Sequence, residues 1–566
     1  MKADLGQRDF DFDYVVIGSG FGGSVAAMRL SQKGYKVGVI ESGKRWHADE
    51  FPKSNWNVKK FLWFPKVGCY GIQRMHLLRD VFILAGAGVG GGSLNYANTM
   101  YTPPDVFFER DTIKRLGGKE EFLPYYDIAK KMLGVVPNPV STPQDELLKE
   151  TAAEIGREQT YTTTDVAVFF GKEKMPAEDP YFFGEGPDRV GCELCGECMT
   201  GCKKNGKNTL DKNYLYFAEK FGTQIFAEQK VYDIIPLSPD GDQGYIVKTK
   251  KTTGMLGRLA GKTFKTKGIV LGAGVIGTLS LLMELKQNGR LPNISDHIGE
   301  FSRTNSESII GVKAKSKDVD FSKGVAITSS VHPDENTHIE PVRYGMGHDF
   351  MGLLTGIMTE GGGVLPRQVK AFFNACFHPI TFLRVCNPVG FARRSIILLI
   401  MQTLDNYIII ERKRRLLWPF SRTLTSSYAT EKKNPTWIPI GYDFGRRLAK
   451  RMDGVACNIT TENLMDAPIT AHIMGGCTIG QAGGDEVIDE ENHILGYQNM
   501  LVCDASQIPE NLGVNPALSI LAFAERAMSY IQPKSGKIRY LKAEQEWGVK
   551  DYLSKESRHQ THHAIT

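Results

Sequence analysis

The stretch "YVVIGSGFGGSVAAMRLSQKGYKVGVIE", residues 14–41, decides the fold. Tyr14 to Ile17 is a short apolar run of the kind a buried strand shows. A glycine-rich turn follows, and "SVAAMRLSQKG" then reads as a helix stopping near Gly34. "KVGVIE" reads as a second strand, ending in Glu41. The whole is a βαβ unit of about 30 residues. In Gly18-x-Gly20-x-x-Gly23 the first glycine allows a tight turn and the second lets backbone approach a pyrophosphate. The third lets helix and strand pack closely. Free N–H groups and the helix dipole favour phosphate at that helix start. Glu41 can accept hydrogen bonds from a ribose hydroxyl, and its charge repels a 2′-phosphate. The motif alone does not separate FAD from NAD.

Further glycine clusters lie at 84–98, "LAGAGVGGGSLNYAN", and at 268–283, "GIVLGAGVIGTLSLLM". The second again reads as strand, turn and helix. The last third carries "AHIMGGCTIG" and then "NMLVCDASQIPENLGVNPALSILAFAERAM", a strand, a loop and a closing helix. Between about 300 and 460 nucleotide-type motifs are absent. "RQVKAFFNACFHPITFLRV" is aromatic and helix-like, and "RRSIILLIMQTLDNYIIIERKRR" reads as a β-hairpin turning near Asp405 and Asn406. This stretch reads as a substrate domain inserted into a dinucleotide domain.

The chain of 566 residues is 42% hydrophobic and 23% charged, as globular proteins are. A net charge of +6 is too mild to argue for nucleic acid. The charged start, "MKADLGQRDFDFD", shows no secretory leader, so a cytoplasmic, reducing location is the expectation. There, clustered cysteines read as metal-binding or redox rather than as disulfides. Cys192, Cys195, Cys198 and Cys202 make such a cluster, with the spacing C-x2-C-x2-C-x3-C. It matches the bacterial ferredoxin run, with Lys203 where proline is usual. Three of them could hold a cluster lacking one ligand, or the loop could bend to supply all four. Tetrahedral zinc and four free thiols are the rival readings.

The ordered set "YVVIGSGFGGSVAAMRL", "GAGVGGGSLNYAN", "IVLGAGVIGT", "HIMGGCTIG" and "GVNPALSI" resembles the glucose–methanol–choline (GMC) oxidoreductases, which are FAD enzymes. Within them it is most similar to the bacterial cholesterol oxidase branch, over about 12–530. The resemblance implies an α/β fold, a Rossmann-type FAD domain with an inserted substrate domain built on an antiparallel sheet. The expected division is 11–300 for the FAD domain, with the cysteine insertion near 190–205. The substrate domain takes 301–460, the returning FAD part 461–535, and a peripheral tail 536–566.

Carried over residue by residue, the resemblance gives Gly18, Gly20, Gly23 and Glu41 to the ADP half of FAD. It sets Gly88, Gly91, Gly92 and Ser93 beside the pyrophosphate and flavin, with Asn98 near the isoalloxazine. Val231 holds the adenine through its backbone, and Gly272, Ala273 and Gly274 line the cofactor. Asp504 and Ala505 reach the ribityl chain, and Pro516 lies beside the flavin with Asn515. His472 matches the active-site histidine and Asn515 its partner, although relatives often have His-Pro where this chain has His472-Ile473. Glu340, in "HIEPVRYG", resembles a substrate-side glutamate that moves protons, including in isomerisation of a steroid double bond. It reads equally as a salt-bridge partner of Arg343.

The implied activity is oxidation of a sterol-like or other bulky lipid alcohol by hydride transfer to flavin, with oxygen or an electron-acceptor protein as acceptor. The cysteines raise alternatives: a dehydrogenase passing electrons through an iron–sulfur cluster to a protein or quinone, or an electron-transfer flavoprotein without alcohol substrate. Phe372, Phe373, Phe377, Phe382 and Phe391, with Arg412, Lys413, Arg414, Arg415, Trp418 and Phe420, suit a peripheral membrane surface or a core with a solvated edge.

Overall fold

A computed structural model describes residues 9–254, 260–414, 422–428, 432–479, 484 and 486–555. Its larger sheet has seven strands. The strand Phe12–Ile17 lies inside it, parallel to Val37–Ile40 on one side and to Thr263–Leu271 on the other. Gln224–Phe226 and Met500–Val502 add further parallel strands. Strands buried on both faces read as unbroken apolar runs. Val15-Val16-Ile17 and Ile269-Val270-Leu271 are such runs, and all six side chains are buried. Tyr245–Lys251 and Gln229–Pro236 extend the sheet antiparallel. There the pattern turns to alternation, with Lys230 and Tyr232 exposed between buried Gln229, Val231 and Asp233.

The helices Phe21–Gln32 and Ala517–Ser529 pack against each other. A buried ion pair of 2.7 Å between Arg29 and Glu525 ties them. The chain therefore returns at its end to the sheet in which it began.

The second sheet is antiparallel throughout, in the order Thr337–Val342, Ser395–Gln402, Ser308–Ala314, Gly454–Ile459, Thr355–Ile357. Two helices, Arg367–Phe377 and Pro379–Cys386, stand against its last strand.

Three expectations change. The apolar runs at 395–402 and 408–414 do not form a hairpin. The first joins the five-stranded sheet, while the second pairs with Arg422–Tyr428. Asp405 and Asn406, expected at the hairpin turn, are anchors instead. Arg303 donates to Asp405 (2.7 Å), and Ser306 and Asn511 donate to the Asn406 side chain (2.8 and 3.0 Å). Phe391 is buried rather than part of an aromatic surface. Arg415, Trp418 and Phe420 lie outside the described residues. The tail expected to be peripheral is anchored: Glu544 is fully buried and pairs with Arg29.

Candidate active site

The glycines of the first turn serve two purposes. Gly18 has φ +100°, and a Cβ there would stand 2.3 Å from the Gly272 carbonyl oxygen. A Cβ on Gly23 would stand 2.1 Å from the Gly18 carbonyl oxygen. Both are closed by backbone packing. Gly20 differs: a Cβ there would meet nothing nearer than 4.0 Å, with Gly272 and Gly91 across the gap. That space opens at the N-cap of the helix Phe21–Gln32, which has no side-chain cap and no acid in its first turn. Unpaired N–H groups facing open space fit the phosphates of a dinucleotide.

The second glycine cluster closes on the first. A Cβ on Gly91 would lie 2.6 Å from Gly20 Cα, and one on Gly92 3.3 Å from the Phe21 ring. Gly88 has φ +128°. Ser93 donates to the Gly90 carbonyl (2.7 Å) and accepts from the Leu210 N–H (3.1 Å). Ser19 links the loops, donating to Glu41 (2.9 Å) and accepting from the Gly90 N–H (3.1 Å). Glu41 also accepts from the N–H groups of Ser19 (3.1 Å) and Gly43 (2.7 Å), so its carboxylate is fixed at the turn.

Val231 sits at a β-bulge, where the ladder slips between Val231 and Asp233. Ala273 caps the helix Gly274–Gln287, and Gly274 faces open space at φ +73°. Asp504 accepts from Ser506 N–H (2.9 Å) and from the Thr278 hydroxyl, and burial pushes its carboxyl above the usual range. Ala505 follows it in a short 3-10 turn, and Pro516 caps the helix Ala517–Ser529. Asn98 is fully buried at φ +72°, with its amide beside the Cys198 thiol.

His472, Asn515 and Glu340 come from distant parts of the chain and meet. His472 follows the strand Ile469–Thr470, Asn515 precedes the helix Ala517–Ser529, and Glu340 lies within the strand Thr337–Val342. Asn515 Nδ2 lies 3.3 Å from His472 Nε2 and donates to Glu340 Oε2 at 3.2 Å. Asn515 Oδ1 is buried without a hydrogen-bond partner, an acceptor left for a ligand. All three side chains are buried.

A fourth group, Glu307, joins them. Its Oε2 lies 3.0 Å from His472 Nδ1 and accepts from Thr470 Oγ1 (2.7 Å) and the Ala471 N–H (3.0 Å). Sequence reasoning missed it, because "TNSES" at 304–308 carries no spacing signal.

Burial pushes the Glu340 carboxyl up to about 8. Asn515 opposes this by hydrogen bonding, the negative charge of Glu307 adds to it, and the Tyr101 hydroxyl opposes it. Glu340 is not the partner of Arg343. That guanidinium bonds the Thr328 hydroxyl (2.6 Å) and lies 4.0 Å from Asp145.

The four cysteines line one cavity with Val168, Lys207 and Gly324, and none is in a disulfide. Among the described residues no three His, Cys, Asp or Glu side chains gather as a single metal ion requires. The tetrahedral zinc reading of the spacing therefore lacks its geometry.

A family model described as GMC oxidoreductase matches residues 442–524, and one described as NAD(P)-binding Rossmann-like domain matches 16–48. The chain is 45% identical over 537 residues to a cholesterol oxidase of Acinetobacter baumannii, covering 93% of this chain and 95% of that one. It is 47% identical over 539 residues to a cholesterol oxidase of Mycobacterium tuberculosis, covering 93% and 92%. The crystal structure of pyridoxine 4-oxidase from Mesorbium loti shares the fold, with a TM-score of 0.56 at 15% identity over 90% of this chain and 97% of that one. The protein is an FAD-dependent oxidoreductase acting on CH–OH donors, and it belongs to the cholesterol oxidase branch of the GMC oxidoreductases.

Proposed function

We propose that this protein oxidises the hydroxyl of a sterol to a ketone, with oxygen as the final acceptor. The observation that carries the proposal is the meeting of His472, Asn515, Glu340 and Glu307 in one buried cluster. The names of the two relatives support the sterol and the oxygen.

FAD, when bound, supplies the hydride acceptor. Gly18, Gly20, Gly23 and Glu41 would hold its adenosine and phosphate half. Gly88, Gly91, Gly92, Ser93, Asn98, Val231, Gly272, Ala273, Gly274, Asp504, Ala505 and Pro516 would hold the rest. The remaining tasks belong to the chain. Asn515 Nδ2 sets the positions of His472 Nε2 and Glu340 Oε2. His472 Nε2 takes the hydroxyl proton as the carbinol hydride departs. Glu307, facing Nδ1, holds the ring and stabilises the imidazolium that forms.

Glu340 supports a second proton step. A carboxyl pushed up to about 8 by burial can both give and take a proton near neutrality. It suits movement of a proton between carbons beside the new carbonyl, which is double-bond isomerisation of a 3-ketosteroid.

The helices Arg367–Phe377 and Pro379–Cys386 support delivery from a lipid surface. Phe377 and Ile380 are 74% and 73% exposed, and Phe372 and Leu383 stand beside them in solvent. Exposed apolar patches of this kind mark interaction sites. Among the described residues no helix is long and apolar enough to cross a membrane.

The test is anaerobic mixing of the FAD-loaded protein with a panel of sterols, long-chain alcohols and hexoses. Bleaching of the flavin by sterols first, at the lowest concentrations, is expected. Bleaching by hexoses or short alcohols alone refutes the sterol assignment.

A further inference from the structure

Alcohol oxidation leaves the cysteine loop without a task. Its spacing is the ferredoxin run, whose fourth cysteine serves a second cluster in two-cluster ferredoxins. Here all four cysteines line one cavity. The loop bends sharply enough to bring them together, with φ of 53°, 73°, 96° and 60° at Leu194, Gly196, Gly201 and Asn205.

One loop sulfur accepts a backbone hydrogen bond, and further backbone N–H groups stand near the other three. Leu194 donates to Cys192 at 3.4 Å. The Glu197 N–H stands near Cys195, and the Ala326 N–H near Cys198. Those of Lys204, Gly206 and Lys207 stand near Cys202. Thiols are weak acceptors, so nearby N–H donors gain most when the sulfurs carry negative charge. Hydrogen bonds to sulfur are also what tunes a bound cluster.

The cations point the same way. The Lys207 ammonium is buried, held by the carbonyls of Leu94 (3.2 Å), Tyr96 (2.8 Å) and Cys198 (2.8 Å). Arg189 stands near Cys202 and Arg343 near Cys198, both guanidinium groups buried. Buried cations are costly without an anionic partner. Asp145 and Asp211 supply part of that charge to Arg343, Arg189 and Lys207, and four thiolates around iron and sulfide supply more beside the loop.

A single zinc ion would need its four sulfurs about 3.8 Å apart, given its bond lengths. No such gathering occurs among the described residues. A polynuclear cluster holds its cysteines at separate corners, and so more widely spaced.

We propose that Cys192, Cys195, Cys198 and Cys202 together hold one iron–sulfur cluster. It lies behind the glycine loop that borders the cofactor space, since Cys198 abuts Asn98 and Lys207 reaches the carbonyls of Leu94 and Tyr96. The assignment does not depend on the sterol reading.

The test is purification of the full chain without oxygen, with reconstitution by iron and sulfide. Iron and acid-labile sulfide in equal amounts, about two to four of each per chain, are expected. So are visible absorption that survives flavin removal and an EPR signal on reduction. Cys195→Ser and Cys202→Ala lose these signals and keep FAD, while Cys376→Ser, at an exposed position outside the loop, keeps both. One zinc per chain without sulfide overturns the proposal. So does a metal-free protein whose four loop thiols all react freely after reconstitution. A complete cluster in Cys202→Ala refutes the four-ligand assignment.

Discussion

A buried carboxyl makes the sharpest prediction at the scale of one residue. Glu340 has its titration raised by burial from 4.5 to about 8. Below about 4.5 both folded and unfolded chains carry the proton, so the group's contribution is fully present. Between about 4.5 and 8 the unfolded chain ionises and the folded one does not, so stability falls as pH rises. Above about 8 both are ionised and the loss levels off. Glu340→Gln has no such loss. Urea midpoints of the FAD-loaded protein at pH 6 and pH 9 should fall further for the parent than for the variant, by on the order of 2 kcal/mol. Parallel profiles would mean that Glu340 is ionised in the folded protein.

At this scale the sequence reveals residues in proportion to how much backbone geometry they dictate. Gly18 and Gly23 are readable because a side chain would strike a carbonyl oxygen. His472 and Asn515 are readable because they stand inside long motifs. Glu307 is silent, since its role depends on Thr470, Ala471 and His472 meeting it from over 160 positions away.

Among elements, the parallel strands announce themselves by unbroken apolar runs, and the helices 367–377 and 379–386 by their aromatic texture. The runs at 395–402 and 408–414 mislead for a physical reason. Period and turn residues say hairpin, but Arg303, Ser306 and Asn511 capture Asp405 and Asn406 and carry the chain from one sheet to another pairing. Side-chain capture from remote residues leaves no local pattern. The helix pair makes its own prediction. Phe377→Ser with Ile380→Ser, both highly exposed, should leave folding and flavin reduction by detergent-dispersed sterol unchanged within about twofold, as surface substitutions do. Co-sedimentation with phosphatidylcholine vesicles, and turnover of sterol embedded in them, should drop at least about fivefold, as loss of two side chains that insert into lipid implies. Unchanged vesicle binding would show that this patch does not meet lipid.

At the scale of the whole molecule, two ends of the chain are bound together by charge. Arg29 sits between Glu525, on the closing helix, and Glu544, in the tail, with all three buried. The motif order foretells the return of residues near 500 to the first sheet, but not the anchoring of the tail. Glu544 stands in "KAEQE", which has the composition of a solvated helix. Arg29→Ala strands two buried carboxylates. It should lower stability by about 3–5 kcal/mol, read as a fall in the unfolding midpoint. A loss under about 1 kcal/mol would mean that the tail opens and releases Glu544 to water.

On the proposed mechanism, His472 and Asn515 do chemistry rather than hold the fold. The direct measurement is the single-turnover rate of anaerobic flavin reduction by sterol in the parent, His472→Ala and Asn515→Leu. Full FAD loading is expected in all three, with reduction slowed at least ~100-fold in each variant. Reduction at the parental rate in both variants would contradict it.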